Sequence, residues 1–180
     1  QAGSLTLGAN LATQVAMQGT GVAGYNMAVG KLVSSGTVAL AGSVTLPVFN
    51  LNGSTFPNRT DSFSFITGSS VTGAFVPANT SYLQSINFDV THNGTAAYLT
   101  NASVSAIYIS GSVTPTGYGN ATYLHVEGVA GNVTAIDGLT AFGNLSAFNA
   151  QSSSYAGADL TVYLGNGTYT GSLLANQSNT

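Results

Sequence analysis

Tyrosines apart, nine side chains carry the acid–base chemistry this chain can offer: Lys31, Arg59, Asp61, Asp89, Glu127, Asp137, Asp159, His92 and His125. The carboxylates stand singly, with no close pair of the kind that flanks a glycosidic bond. A serine triad needs a histidine and an acid to orient it, and no Gly-x-Ser-x-Gly elbow is present. Asp89-x-x-His92 has the spacing of a ligand pair but lacks further ligands nearby, so no metal site is expected. The glycine-rich stretch at residues 19–24 does not join a strand to a helix, so it carries no nucleotide-binding signal. Cysteine is absent, which excludes thiol chemistry, cysteine–zinc sites and disulfides. Two basic residues cannot track a phosphate backbone, and the net charge is −3. The expectation is a non-enzyme with no catalytic residue, cofactor or metal and no nucleic-acid partner.

The abundant chemistry belongs to asparagine. Asn-x-Ser/Thr sequons begin at Asn52, Asn58, Asn79, Asn93, Asn101, Asn120, Asn132, Asn144, Asn166 and Asn176, none with proline in the middle. With 16 Asn and 43 Ser plus Thr in 180 residues, chance placement predicts about four. A glycan needs an exposed acceptor, so the body reads as an exported domain built to carry N-linked sugar. Asn10, Asn26 and Asn50, by contrast, are not acceptors. This asymmetry suggests that the N-terminal part is covered by protein. With 4% charged residues, against about a quarter in ordinary soluble domains, sugar and uncharged polar groups must supply the hydration. Such a surface suits acid, because it depends little on ion pairs.

Lys31 is the single lysine and sits in the apolar run Met27 to Val33. In some pilus-like sandwiches a lysine joins an Asn or Asp through an isopeptide bond, assisted by a buried acid, and Lys31 is the residue placed to form one here. The simpler alternative is a packed stem with its amine in water.

The elements that must position these groups are strands. The chain is 44% apolar, enough for a core. Gly, Ser, Thr and Asn interrupt every apolar stretch, so no helical pattern persists, and no stretch is long enough for a membrane helix. Val44, Leu46 and Val48 alternate, as do Ile86, Phe88 and Val90; Leu124 and Val126; and Leu160, Val162 and Leu164. Asn93-Gly94 and Asn166-Gly167 are hairpin signals. An all-β fold follows, with a β-sandwich body over residues 22–180.

The N-terminus has its own pattern. From Ser4 to Gln18, Leu5, Leu7, Ala9, Leu11, Thr13, Val15 and Met17 fall on one face of a period-two strand. About 15 residues of strand span roughly 50 Å, far beyond the usual length. Gly19 and Gly21 follow as an expected hinge, within a linker of residues 19–21. A strand of this kind, over residues 1–18, can complete a neighbour's sheet: main-chain bonds give affinity and alternate side chains fill pockets. Head-to-tail insertion generates an open filament of identical subunits. Gln1 reads as the first residue after removal of a signal peptide.

Taken together, the alternating N-terminal strand, the glycine joint, the cysteine-free β body and the dense sequons resemble the subunit of archaeal threads, extracellular filaments of thermoacidophilic archaea. The resemblance covers the layout of the whole chain. It implies an Ig-like, pilin-like sandwich, Ser4–Gln18 as donor strand with Leu5, Leu7, Leu11, Val15 and Met17 filling pockets, glycans on the sequon asparagines, and a role in adhesion or cell–cell contact. The bundling pilin of other archaea is similar in its donor-strand logic. Archaeal type IV pilins and archaellins fit poorly, because they begin with a long apolar helix. The other reading is a monomeric or surface-layer-type cell-surface glycoprotein or adhesin. In that reading the N-terminal strand pairs within its own domain, and Tyr108, Tyr118 or Tyr123 offers an aromatic binding platform.

Overall fold

The computed structural model describes residues 3–20, 27–52, 54–111, 113, 118–119, 121–125, 132–151, 155 and 159–173. The fold is all-β. Its longest antiparallel unit is the hairpin of β10 (Ile86–His92) and β11 (Ala96–Val104). Asn93 closes it: its side-chain oxygen accepts from the backbone N–H of Thr95 at 2.9 Å and of Ala96 at 2.8 Å. The expected Asn93-Gly94 hairpin is thus in place, held by the local side-chain bonding that suits Asn to turns. Ile86, Phe88 and Val90 are buried on one face, with Asp89 and Thr91 exposed on the other. β7 (Ser62–Thr67) pairs with the free edge of β11, β9 (Asn79–Tyr82) with that of β10, and β4 (Leu32–Val33) with β7, giving one five-stranded sheet.

The N-terminal half supplies two smaller sheets. β1 (Leu5–Thr6), β5 (Thr37–Leu40) and β8 (Ser70–Gly73) form one, wholly parallel. β2 (Ala12–Gly19) lies between β3 (Met27–Val29) and β6 (Ser43–Asn50) in the other, antiparallel to β3 and parallel to β6. Side chains from these two sheets and from the five-stranded sheet meet in one core, including Met17, Val38, Leu46, Phe49, Phe65, Ile86, Phe88 and Leu99. Phe49 anchors it, with the rings of Phe56, Tyr82 and Phe88 at centroid distances of 6.0, 5.9 and 6.1 Å, the range at which aromatic pairs attract.

β6 departs from simple alternation. Val44 and Leu46 point inward as expected, but Val48 is 38% exposed and Phe49 is buried. The pairing with β2 slips by one residue between Gln14/Thr45 and Ala16/Val48. Pro47 lies in this bulge, where a residue without an N–H costs no ladder bond, and the inward face changes parity beyond it.

The C-terminal part is built differently. β12 (Ala106–Ile109) pairs in parallel with both β15 (Ala141–Phe142) and β16 (Thr161–Leu164). β13 (Ala121–His125) and β14 (Asn132–Ile136) form a separate hairpin. A one-turn helix, α1 (Leu145–Asn149), is capped by Asn144, whose side chain accepts from the N–H of Ala147 at 2.8 Å. Leu160 and Val162 are half-buried but Leu164 is 49% exposed. Asn166-Gly167 does not make a hairpin. No strand follows it among the described residues, and the Tyr169 hydroxyl folds back to donate toward the carbonyls of Ile109 at 3.0 Å and Gly165 at 2.8 Å.

Candidate assembly strand and glycan acceptor surface

The N-terminal segment follows residues 38–50 in parallel and crosses with them from one sheet to the next. Leu5 lies opposite Val38 and Thr6 opposite Ala39, and Leu7 N–H donates to the Ala39 carbonyl at 3.0 Å. The pairing then breaks. Leu11 N–H turns back to the Gly8 carbonyl at 3.0 Å, and Ser43 N–H donates to the Leu11 carbonyl at 3.0 Å. Beyond the break, Ala12 to Gln18 pair with Ser43 to Asn50. The expected single strand over Ser4–Gln18 is therefore two strands with a crossing between them. Gly8 and Asn10 favour the turn, and the crossing is held from the other side by Gly42. There φ is +76°, and a Cβ would lie 2.1 Å from the Leu11 carbonyl oxygen.

The alternating face survives on either side of this crossing. Leu7, Val15 and Met17 are buried, Met17 completely, and Leu5 and Thr13 are half-buried. Ala9 and Leu11 fall in the crossing and are exposed, Leu11 by 48%. They are not pocket-filling residues in this arrangement, because the turn rotates them away from the core. Gly19 is not a flexible joint either. It ends β2, and a Cβ there would stand 1.7 Å from the Leu51 carbonyl oxygen. Glycine is needed at this position for close backbone approach. Asn52 Nδ2 donates to the Gly19 carbonyl at 3.3 Å, fixing it further. Gly21 lies outside the described residues.

The sequon asparagines among the described residues share one property. Asn52, Asn58, Asn79, Asn93, Asn101, Asn144 and Asn166 are all exposed. Asn120 and Asn176 lie outside the described residues, as does the side chain of Asn132. These sequon asparagines occupy varied backbone settings. Asn52 (φ 45°) and Asn101 (φ 54°) are left-handed, a conformation Asn tolerates better than most residues. Asn101 sits where the β10–β11 register shifts, and its Nδ2 donates to Asp89 at 2.8 Å. Asn93 Nδ2 donates to the Tyr98 hydroxyl at 3.0 Å. Asn10 and Asn50, which are not acceptors, are also exposed in the single chain, so the sequon asymmetry does not follow from burial within one chain.

The remaining candidates lie apart. Lys31 is exposed, between β3 and β4, beside a groove that includes the half-buried Asp61. An isopeptide bond needs an amine stripped of water beside a buried acid, and this setting does not provide one. His92 is exposed at the end of β10 and beside Asn93; Glu127 and the side chains of His125 and Tyr123 lie outside the described residues. Among the described residues, no three His, Cys, Asp or Glu side chains gather to hold a metal, and no helix is long and apolar enough to cross a membrane.

One cluster escaped the sequence reading. Phe56, Tyr118 and Tyr155 converge on a cavity with Asn58 and Arg59 on its wall. Tyr155 donates to the Leu139 carbonyl. Burial first, and then the neighbouring Tyr118 phenol, push its pKa far above the ordinary tyrosine value. Burial also raises Tyr118, opposed in part by a hydrogen bond from the Phe56 backbone. Tyr118 was visible in the sequence as a possible platform, but its ring partners Phe56 and Tyr155 lie 62 and 37 residues away and no local pattern joins them. No protein-family description, curated protein or solved structure matches this chain.

Proposed function

We propose that this chain is a structural subunit of an extracellular filament, polymerised head to tail by donation of its N-terminal strand, with N-linked glycans covering the body and a role in adhesion or cell–cell contact. The observation that carries this reading is the position of β2. It sends Val15 and Met17 into the core, and residues 20–26 connect it to β3 and the rest of the body. An identical segment from a second copy would meet the same groove and make the same contacts, which is the condition for strand exchange between protomers. Seven residues reach about 25 Å when extended, enough to lead to a neighbouring subunit. The sequon-free stretch before residue 51 coincides with the strands that line this groove.

A second reading draws on the same strand. In the single chain β2 is paired on both edges with its own body, as a closed, monomeric surface glycoprotein would have it. Electron microscopy of the cell-derived protein beside a chain beginning at Thr20 separates the two. Filaments from the first and none from the second establish donation. Dispersed particles from both refute the filament and leave the closed glycoprotein. Addition of a peptide covering residues 1–19 to the shortened chain provides a further arm: capture of the peptide in a stable complex is expected for an exchangeable strand.

A further inference from the structure

Between residues 55–59 and the layer carrying Tyr118, Leu139 and Tyr155 lies a cavity of about 470 Å³, within the usual size of small-ligand sites. Its wall combines aromatic rings with the polar side chains of Ser103, Arg59 and Gln151. This mixture matches a pyranose, whose C–H face is apolar and whose hydroxyls both donate and accept. Tyr118 is 45% exposed and lines this cavity, so its ring is open to a ligand. Asn58, the acceptor of the sequon Asn58-Arg59-Thr60, is itself exposed and part of the wall.

We propose that the first sugars of an N-linked glycan on Asn58 fold back into this cavity and seat on the Phe56 and Tyr118 rings, fastening the 55–59 segment to the C-terminal part of the fold. The proposal rests on the reading of the sequons as glycan acceptors and adds an internal binding site for one glycan. The backbone of Asn58 is held in a turn. Asn58 N–H donates to the Asp61 carboxylate, and Asp61 N–H returns to the Asn58 carbonyl at 3.1 Å. A glycan leaving a fixed turn loses less freedom on docking than one leaving a mobile loop. Asn79 also borders a groove, but the aromatic residue there, Phe88, is 1% exposed and offers no face.

The test uses the cell-derived glycoprotein with Asn58→Gln, Tyr118→Ala and the double variant, beside Asn79→Gln as a reference. Glycopeptide mass spectrometry first reads occupancy at Asn58. Thermal melts then read coupling. The expected result is a loss of about 2–4 °C for Asn58→Gln, little change for Asn79→Gln, and no further loss when Asn58→Gln is added to Tyr118→Ala. Additive losses with Asn58 occupied overturn the seat and leave glycosylation standing. An unmodified Asn58 overturns both at that position. Should Tyr118→Ala not fold, hydrogen exchange at residues 55–61 and 138–139 in Asn58→Gln against the parent decides: faster exchange in both segments is expected, and unchanged exchange at 138–139 refutes the proposal.

Discussion

β2 and β10 of the β10–β11 hairpin both alternate with period two, and both bury most of one face. They are held in opposite ways. The hairpin is local: Asn93 organises the turn, and each strand meets a partner adjacent in sequence. β2 meets its sequence neighbour β3 only over its last three residues, and along most of its length it is clamped by a parallel partner more than 25 residues away, at a register that no turn dictates. A local hairpin cannot be lent to another molecule without tearing its own turn. A strand paired mainly at long range can, once its short pairing with β3 opens, because the same contacts form whether the partner is in the same chain or the next one. On the proposed reading, the difference separates the part of the molecule that specifies the fold from the part available for assembly.

The sharpest way to break the comparison is Met17→Asp. A carboxylate at a fully buried site without a partner is among the most destabilising changes known. It is expected to abolish filaments and to lower the melting temperature of any remaining monomer, read by microscopy and circular dichroism on the same sample. Next come the truncations Met17→Ala and Phe88→Ala, each costing about 2–5 kcal/mol by denaturant titration. Met17→Ala should also speed subunit exchange between filaments, whereas Phe88→Ala should leave the exchange rate unchanged at matched stability. Smallest is the alkaline limb of stability. The folded-state pKa of Tyr155 is raised above 10.0 by burial, so the unfolded chain gives up this proton first. The contribution is complete below pH 10 and is lost as pH rises toward the folded value, at up to about 1.4 kcal/mol per unit. A melt series from pH 9 to 11.5 checks it, and Tyr155→Phe should flatten the decline.

Sequence periodicity located the faces better than it located the partners. Ile86, Phe88 and Val90 turn inward as read, and so do Leu7, Val15 and Met17, because side-chain direction in a strand is a local property. The Asn93 turn was legible for the same reason. The crossing at residues 8–11 was not, since Leu11 keeps the alternation in sequence while the backbone turns under it. Gly19 looks like a hinge in sequence and is a close-packing position in the fold; only Leu51, brought in from outside the strand, makes the distinction. The parallel sheet of β12, β15 and β16 and the cavity around Tyr118 depend on long-range pairing, which leaves no mark in a local pattern. Val48 was misread for a nearer cause: Pro47 was present in the sequence, but its effect on strand parity appears only once β2 fixes the register.

The parallel course of residues 5–18 beside 38–50 has a mechanical consequence. Two parallel strands pulled from opposite ends slide along one another, so tension is shared across the ladder instead of opening it one bond at a time. The crossing at Gly42 divides that ladder into two segments in two sheets, so slip in one leaves the other engaged. Resistance to traction is governed by the rate of unfolding and not by equilibrium stability. A chain joined in this manner behaves as a splice in a rope, gripping over its whole overlap, and its strength grows with the length of strand in contact more than with the strength of any one bond.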